Sequence, residues 1–178
     1  MRAVKRIVLV LLALAVVIVG VGAFLPKDFR VERSIEIDAS PEVVFEQVNS
    51  LRKWDAWSPW IARDPSIENT FAGPEEGQGA TVTWTSEHSG QGKQTITLSQ
   101  RPTRIETVLD LGAMGEPNAY WTFEPTAEGV RVTWGLHGIA SGPLGGYVAK
   151  MMDHWVGADY EAGLAGLKRV TEAPPPVQ

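Results

Sequence analysis

The sequence predicts an α+β fold in which a seven-stranded antiparallel sheet is closed by one long C-terminal helix, preceded by an N-terminal transmembrane helix. Three observations carry this expectation. Between Leu144 and Val170 the apolar residues recur at helical spacing. Between Ser66 and His137 the chain breaks into short β-rich runs separated by Gly and Pro. From Ile7 to Leu25 there is no charged residue. A chain of 178 residues, 44% of them hydrophobic, suits one globular domain plus an appendage. The boundaries fall at residues 1–28 for the basic flank and anchor, 29–170 for the domain, and 171–178 for a tail with Pro174-Pro175-Pro176 that should be disordered.

At about 1.5 Å per residue, Ile7 to Leu25 covers roughly 28 Å, close to the hydrocarbon thickness of about 30 Å. Arg2, Lys5 and Arg6 precede it, the basic flank of a cytoplasmic end, which places the domain outside the cytoplasm. Lys27, Arg30 and Arg33 follow closely and weaken that bias. A secretory signal cleaved after Val21-Gly22-Ala23 is the alternative, although the span exceeds the usual h-region of about 7 to 15 residues. The absence of cysteine removes disulfides and thiolate metal sites from consideration. The formal charge is −5, but residues 1–28 hold four of the sixteen basic groups and one of the twenty-one acidic ones. The remaining twelve basic and twenty acidic groups leave −8 on the domain, which argues against nucleic acid as a partner.

In order, Phe29, Val31, Ile35 and Ile37 alternate along a half-buried strand in which Arg33 is the exception. Ser40 can cap a helix that Pro41 begins and Glu42 favours at its positive end, with Val44, Val48 and Leu51 facing inward. A second short helical piece carries Leu51, Trp54 and Trp57 and should stop near Ser58, because Pro59 restricts the residue before it. Six strands are then expected at Ile67 to Phe71, Ala80 to Thr85, Lys93 to Gln100, Arg104 to Leu111, Ala119 to Pro125 and Val130 to His137. The connection Gly73 to Gly79 joins two strands, so it reads as a turn and not a phosphate loop. On the closing helix, Leu144, Val148, Met152, Trp155, Val156, Gly163, Leu167 and Val170 share one side. Lys150, Asp153, His154, Glu161 and Lys168 fall opposite, and Asp159 interrupts the apolar side. A carboxylate on a covered face needs a partner or a shifted pKa. Gly163 and Gly166 project to the covered side, where they allow close approach to the sheet or bending to admit a ligand.

With these elements in place, the chain resembles the START-like helix-grip superfamily, in particular its membrane-anchored polyketide cyclase/dehydrase-like, or SRPBCC, members. The resemblance runs from Phe29 to Val170. It rests on Val31-Glu32-Arg33-Ser34-Ile35, Ser40-Pro41 with Val44-Phe45, the segment Leu51 to Trp60, the turn Gly73 to Ala80 and the closing helix. It implies a START-like ligand-binding domain with a cavity between helix and sheet that holds an apolar molecule. The superfamily includes lipid carriers, hormone and pigment binders, cyclases, hydrolases and chaperone activators, and no catalytic residue of an enzymatic member can be matched here.

The candidate ligand-binding residues follow from strand parity and helical face. Trp54, Trp57 and Trp60 form either a lid over the cavity or the packing of two small helices. Trp84, Trp121, Phe123 and Trp134 lie at period-two positions on strands, faced from the helix by Met151, Met152 and Trp155. Met114, Tyr120 and Tyr147 are placed near the mouth. His88, His137 and His154 form no metal-binding spacing, and no cofactor or metal is expected. The expected function is membrane-anchored binding of a hydrophobic or lipid-like small molecule. Alternatives are a cyclase, dehydratase or hydrolase, with Asp159 first and His137 second as its ionisable group, or an interaction protein with a filled core.

Overall fold

A computed structural model describes residues 2–173. Helix α1 (Arg2–Phe24) leads into strand β1 (Asp28–Ile37). Helix α2 (Pro41–Asn49) begins as its sequence demands: Pro41 occupies the first turn and the Ser40 hydroxyl accepts a hydrogen bond from the Val43 amide. The next segment differs from expectation. A 3₁₀ turn over Leu51–Ala56 is followed by a separate short helix, α3 (Pro59–Arg63). Pro59 starts this helix as well as ending what precedes it, because a ring-locked φ and a missing N–H suit a first helical position.

Six further strands follow as β2 (Glu68–Ala72), β3 (Thr81–Ser86), β4 (Gly90–Gln100), β5 (Arg104–Asp110), β6 (Asn118–Pro125) and β7 (Val130–Ile139). They pair antiparallel in the order β1-β7-β6-β5-β4-β3-β2, so the two ends of the strand sequence meet through β1 beside β7. Gly73, Gly77 and Gly79 all have positive φ in the β2–β3 connection, a conformation that only glycine adopts without strain. The Gly77 amide there donates to the carbonyl of Asn49 at the end of α2.

The closing helix α4 spans Gly145–Glu172, so Thr171 and Glu172 belong to it and not to the tail. Ala173 is its C-cap, and the remaining residues of the predicted tail, 174–178, lie outside the described residues. The buried side of α4 is rotated from the expected one. Tyr160, Gly163, Leu164, Gly166 and Leu167 are buried, whereas Leu144, Val148, Met151 and Trp155 are exposed. The charged residues are not all opposite the sheet either. Asp153 and Glu161 lie one helical turn either side of Gly157, and Arg33 reaches both, at 2.8 Å and 2.6 Å. A Cβ on Gly157 would fall 2.1 Å from an Arg33 guanidinium nitrogen. The exception in the β1 pattern is therefore a polar clamp that sets α4 across β1. Lys168 adds a bond to the Glu36 carbonyl, and Glu172 accepts from the Asp38 amide.

Along its second half α4 closes directly onto the protein. A Cβ on Gly163 would stand 2.8 Å from the Trp134 ring, and one on Gly166 would stand 2.6 Å from the Trp57 carbonyl oxygen. Overpacking costs about 1–3 kcal/mol, and alanine regains about 1 kcal/mol of helix propensity. Gly166→Ala is expected to lower stability by about 1–2 kcal/mol and Gly163→Ala by less, because backbone yields less readily than a side chain. Denaturant midpoints for the two variants check the order.

Candidate functional site

Between α4 and the sheet lies a cavity of about 320 Å³. The interior is thus not filled by core side chains. The sheet contributes Val82, Leu109, Ala119, Trp134 and Leu136, and α4 contributes Met152, Val156, Asp159 and Tyr160. The segment between α2 and β2 covers the side with Leu51, Trp54, Trp60, Ile61 and Ile67. Further along the same strands the inward residues are core: Ile105 on β5, Trp121 and Phe123 on β6, Val130 and Val132 on β7. The cavity is the wide end of a wedge whose narrow end is solid.

Trp134 forms the boundary between the two. Its ring stacks on Trp121 at 4.2 Å and on Tyr160 at 3.7 Å between centroids. Trp54, Trp57 and Trp60 meet it at near-perpendicular angles, 5.6–6.1 Å away, the arrangement that ring quadrupoles favour. Among the described residues, the indole N–H groups of Trp57, Trp121 and Trp134 are buried without a hydrogen-bond partner; aromatic faces offer them only weak N–H···π attraction. Burial pushes the Tyr160 phenol up from its ordinary value, with the nearby Asp159 charge acting in the same direction, so it stays neutral across physiological pH.

The structure sorts the sequence candidates. Trp54, Trp60, Trp84, Trp134 and Met152 line the cavity. Trp57, Trp121 and Phe123 are buried in the core beyond it; for the two β6 residues, period-two parity gives the same face as the cavity. Met114 is 72% exposed in a 3₁₀ turn after β5, and Met151 and Trp155 point outward from α4. Tyr147 packs against α1, its hydroxyl donating to the Ile18 carbonyl at 3.1 Å. Tyr120, on the opposite sheet face, bonds Arg30 and Glu32. His137 is exposed, outside the cavity lining.

The polar groups of the lining are largely committed to protein partners. Asn69 donates to Asp55 at 3.1 Å, and Gln94 to Thr107 at 3.2 Å. Asp159 accepts from the Trp60 indole at 3.1 Å and pairs with Arg63 at 2.7 Å, which gives the carboxylate on the covered face the partners it required. Ser89 donates to Asp64 at 2.5 Å. An interior so arranged leaves apolar surface as its main offer to a ligand.

Asp64 had no counterpart among the sequence candidates. Bonds from Ser66, then Ser86 and Ser89, hold its carboxyl below the usual carboxylate range. The Asp64-Pro65-Ser66 run signals a local turn, but the β3–β4 serines come from more than twenty residues away. Because the folded pKa lies below the unfolded one, this site contributes stability above about pH 4 and loses it as pH falls further. Asp64→Asn is expected to lower the melting temperature at neutral pH and to reduce its fall between about pH 5 and about pH 2. Thermal unfolding followed across that range checks both.

A sheet curled against a helix, with a largely apolar cavity between them, defines a helix-grip protein. The chain belongs to the polyketide cyclase/dehydrase and lipid transport family, whose model matches residues 28–172. No curated protein gives a significant match. Among solved structures, a Staphylococcus aureus protein of unknown function, SA2116, superposes with a TM-score of 0.65 at 12% identity, covering 82% of this chain and 94% of that one. Protein CV1439 from Chromobacterium violaceum gives 0.62 at 13% identity over 82% and 99%. The di-domain ARO/CYC protein BexL from the BE-7585A biosynthetic pathway gives 0.61 at 17% identity over 84% of this chain and 52% of its own. At these identities the likeness shows the fold.

Proposed function

We propose that the chain binds a hydrophobic or lipid-like small molecule in the cavity between sheet and α4, with α1 holding the domain at a membrane. The observation that carries this reading is the cavity itself, about 320 Å³ and walled mainly by Leu, Ile, Val, Met and Trp side chains. That volume lies at the low end for small-molecule sites, about 300–1,000 Å³, so the ligand is a single-chain or compact polycyclic molecule. The apolar run Ala3–Phe24, with mean hydropathy 3.2, supports the anchor, and Arg2, Lys5 and Arg6 support an extracytoplasmic domain. Native mass spectrometry of the full chain released from mild detergent tests the reading: an apolar adduct of constant mass is expected, and a chain that neither carries one nor takes up an apolar dye overturns it.

Asp159 on the cavity wall beside the neutral Tyr160 hydroxyl favours a second reading, catalysis on an apolar substrate. The two readings separate on Asp159→Asn. Binding alone leaves dye affinity within about twofold, whereas a reaction depending on this carboxylate loses about 10²–10⁴ in rate.

A further inference from the structure

We propose that the end of the domain from which α1 departs is a bilayer-docking surface, seated on the leaflet that α1 leaves, with the cavity opening towards it. This extends the reading of α1 as a membrane span and of the cavity as a ligand site. The topology gathers this end. β1 starts at Asp28 opposite Ile139, the last residue of β7, and β6 starts at Asn118 opposite His137. The start of β1, the β5–β6 loop and the β7–α4 connection therefore share one rim, next to the cavity residues Leu109, Leu111 and Pro117.

Large apolar side chains stand out from this rim. Met114 is 72% exposed, Ile139 74% and Leu144 46%, and Phe24 at the end of α1 is 91% exposed. Val148 and Met151 extend the exposed row along α4. Side chains of this kind gathered at one edge mark an interaction surface, and the position of α1 determines its partner. Three residues separate α1 from β1, and the Ala140 amide donates to the Lys27 carbonyl within that link at 2.9 Å. Gly146 packs on Leu25, and Gly22 makes room for the Tyr147 ring, which a Cβ there would approach to 2.8 Å. The helix is thus fixed to the rim.

Tyr147 also sets the depth. Its hydroxyl bonds the carbonyl of Ile18, six residues before Phe24, or about 9 Å back along the helix. With α1 embedded to Phe24, the first turn of α4 lies within the interfacial layer, where a Tyr ring is favoured. Amphipathic surfaces settle about 5–10 Å into that layer, enough to cover Met114, Ile139 and Leu144. The domain carries −8 outside residues 1–28, so the docking is apolar and proceeds on uncharged lipid.

The chain contains no cysteine, so a single label can be placed by Met114→Cys or Leu144→Cys, with Glu128→Cys in the β6–β7 turn at the opposite end as control. Each full-length variant is reconstituted at one copy per phosphatidylcholine nanodisc and labelled with an environment-sensitive fluorophore. Labels at 114 and 144 are expected to emit to the blue of the label at 128 and to be quenched by doxyl-labelled lipid, with no response to salt. Emission at 114 and 144 matching that at 128 overturns the proposal. Protection that appears only with two copies per disc also overturns it, in favour of a second chain as the occupant. Displacement of an apolar dye in the same discs reads the cavity separately: no dye binding with quenched rim labels rejects the ligand site and keeps the docking surface, and the converse rejects the docking surface alone.

Discussion

Trp134→Ala is expected to cost about 3–5 kcal/mol of folding stability, the range for truncating a large buried aromatic side chain. The loss belongs at the top of that range. Trp134 is 2% exposed and is sandwiched between Trp121 and Tyr160, with three further indoles against it. Stacked and edge-on aromatic pairs add about 0.5–1.5 kcal/mol each beyond their buried area. Removing the ring joins the vacated volume to the existing cavity, so surrounding side chains have little to collapse onto. Against a typical total of about 5–15 kcal/mol, the variant is marginal at 25 °C. Denaturant unfolding followed by far-ultraviolet circular dichroism should show the midpoint shifted with the slope retained. Trp134→Phe is the control: a smaller ring in the same sandwich should recover about half of the loss. An alanine variant within 1 kcal/mol of the parent would mean that the aromatic cluster does not bear on stability.

The strand boundaries were legible because alternation, Gly–Pro punctuation and the Ser40-Pro41 helix start are local. Observed strand limits differ from expectation by at most three residues, and several coincide with it. The division of inward residues into cavity and core was not legible. On β6, Ala119 lines the cavity whereas Trp121 and Phe123, at the same parity, are solid core. Parity identifies a face; the gap between that face and α4 decides whether a residue on it faces the cavity or packs on a neighbour. That gap depends on Gly163 and Gly166 meeting Trp134 and Trp57, and on Arg33 entering the slot at Gly157, all pairings distant in the chain. The same gap explains the misplaced helix face. Periodicity alone treats Met151, Met152, Trp155 and Val156 as one apolar stripe, and the wedge turns Met152 and Val156 inward while Met151 and Trp155 face out.

Val156→Trp provides the largest expected change in binding without loss of the fold. Val156 lies on the α4 wall of the cavity and is only half-buried. An indole there has empty space to enter, so the strain that accompanies overpacking in a solid core, about 1–3 kcal/mol, is largely absent. What it displaces is ligand contact. Losing about 100 Å² of apolar contact at about 25 cal/mol per Å² removes about 2.5 kcal/mol, a 10- to 100-fold weakening of an apolar dye. The melting temperature should stay within a few degrees of the parent or rise, because a filled cavity restores dispersion contacts that the empty one lacks. Titration of the dye against parent and variant, with thermal unfolding of both, checks the pair of outcomes. Full affinity in the variant would place the ligand outside the wedge, and equal loss of affinity and stability would mean that this wall supports the fold and does not shape a binding site.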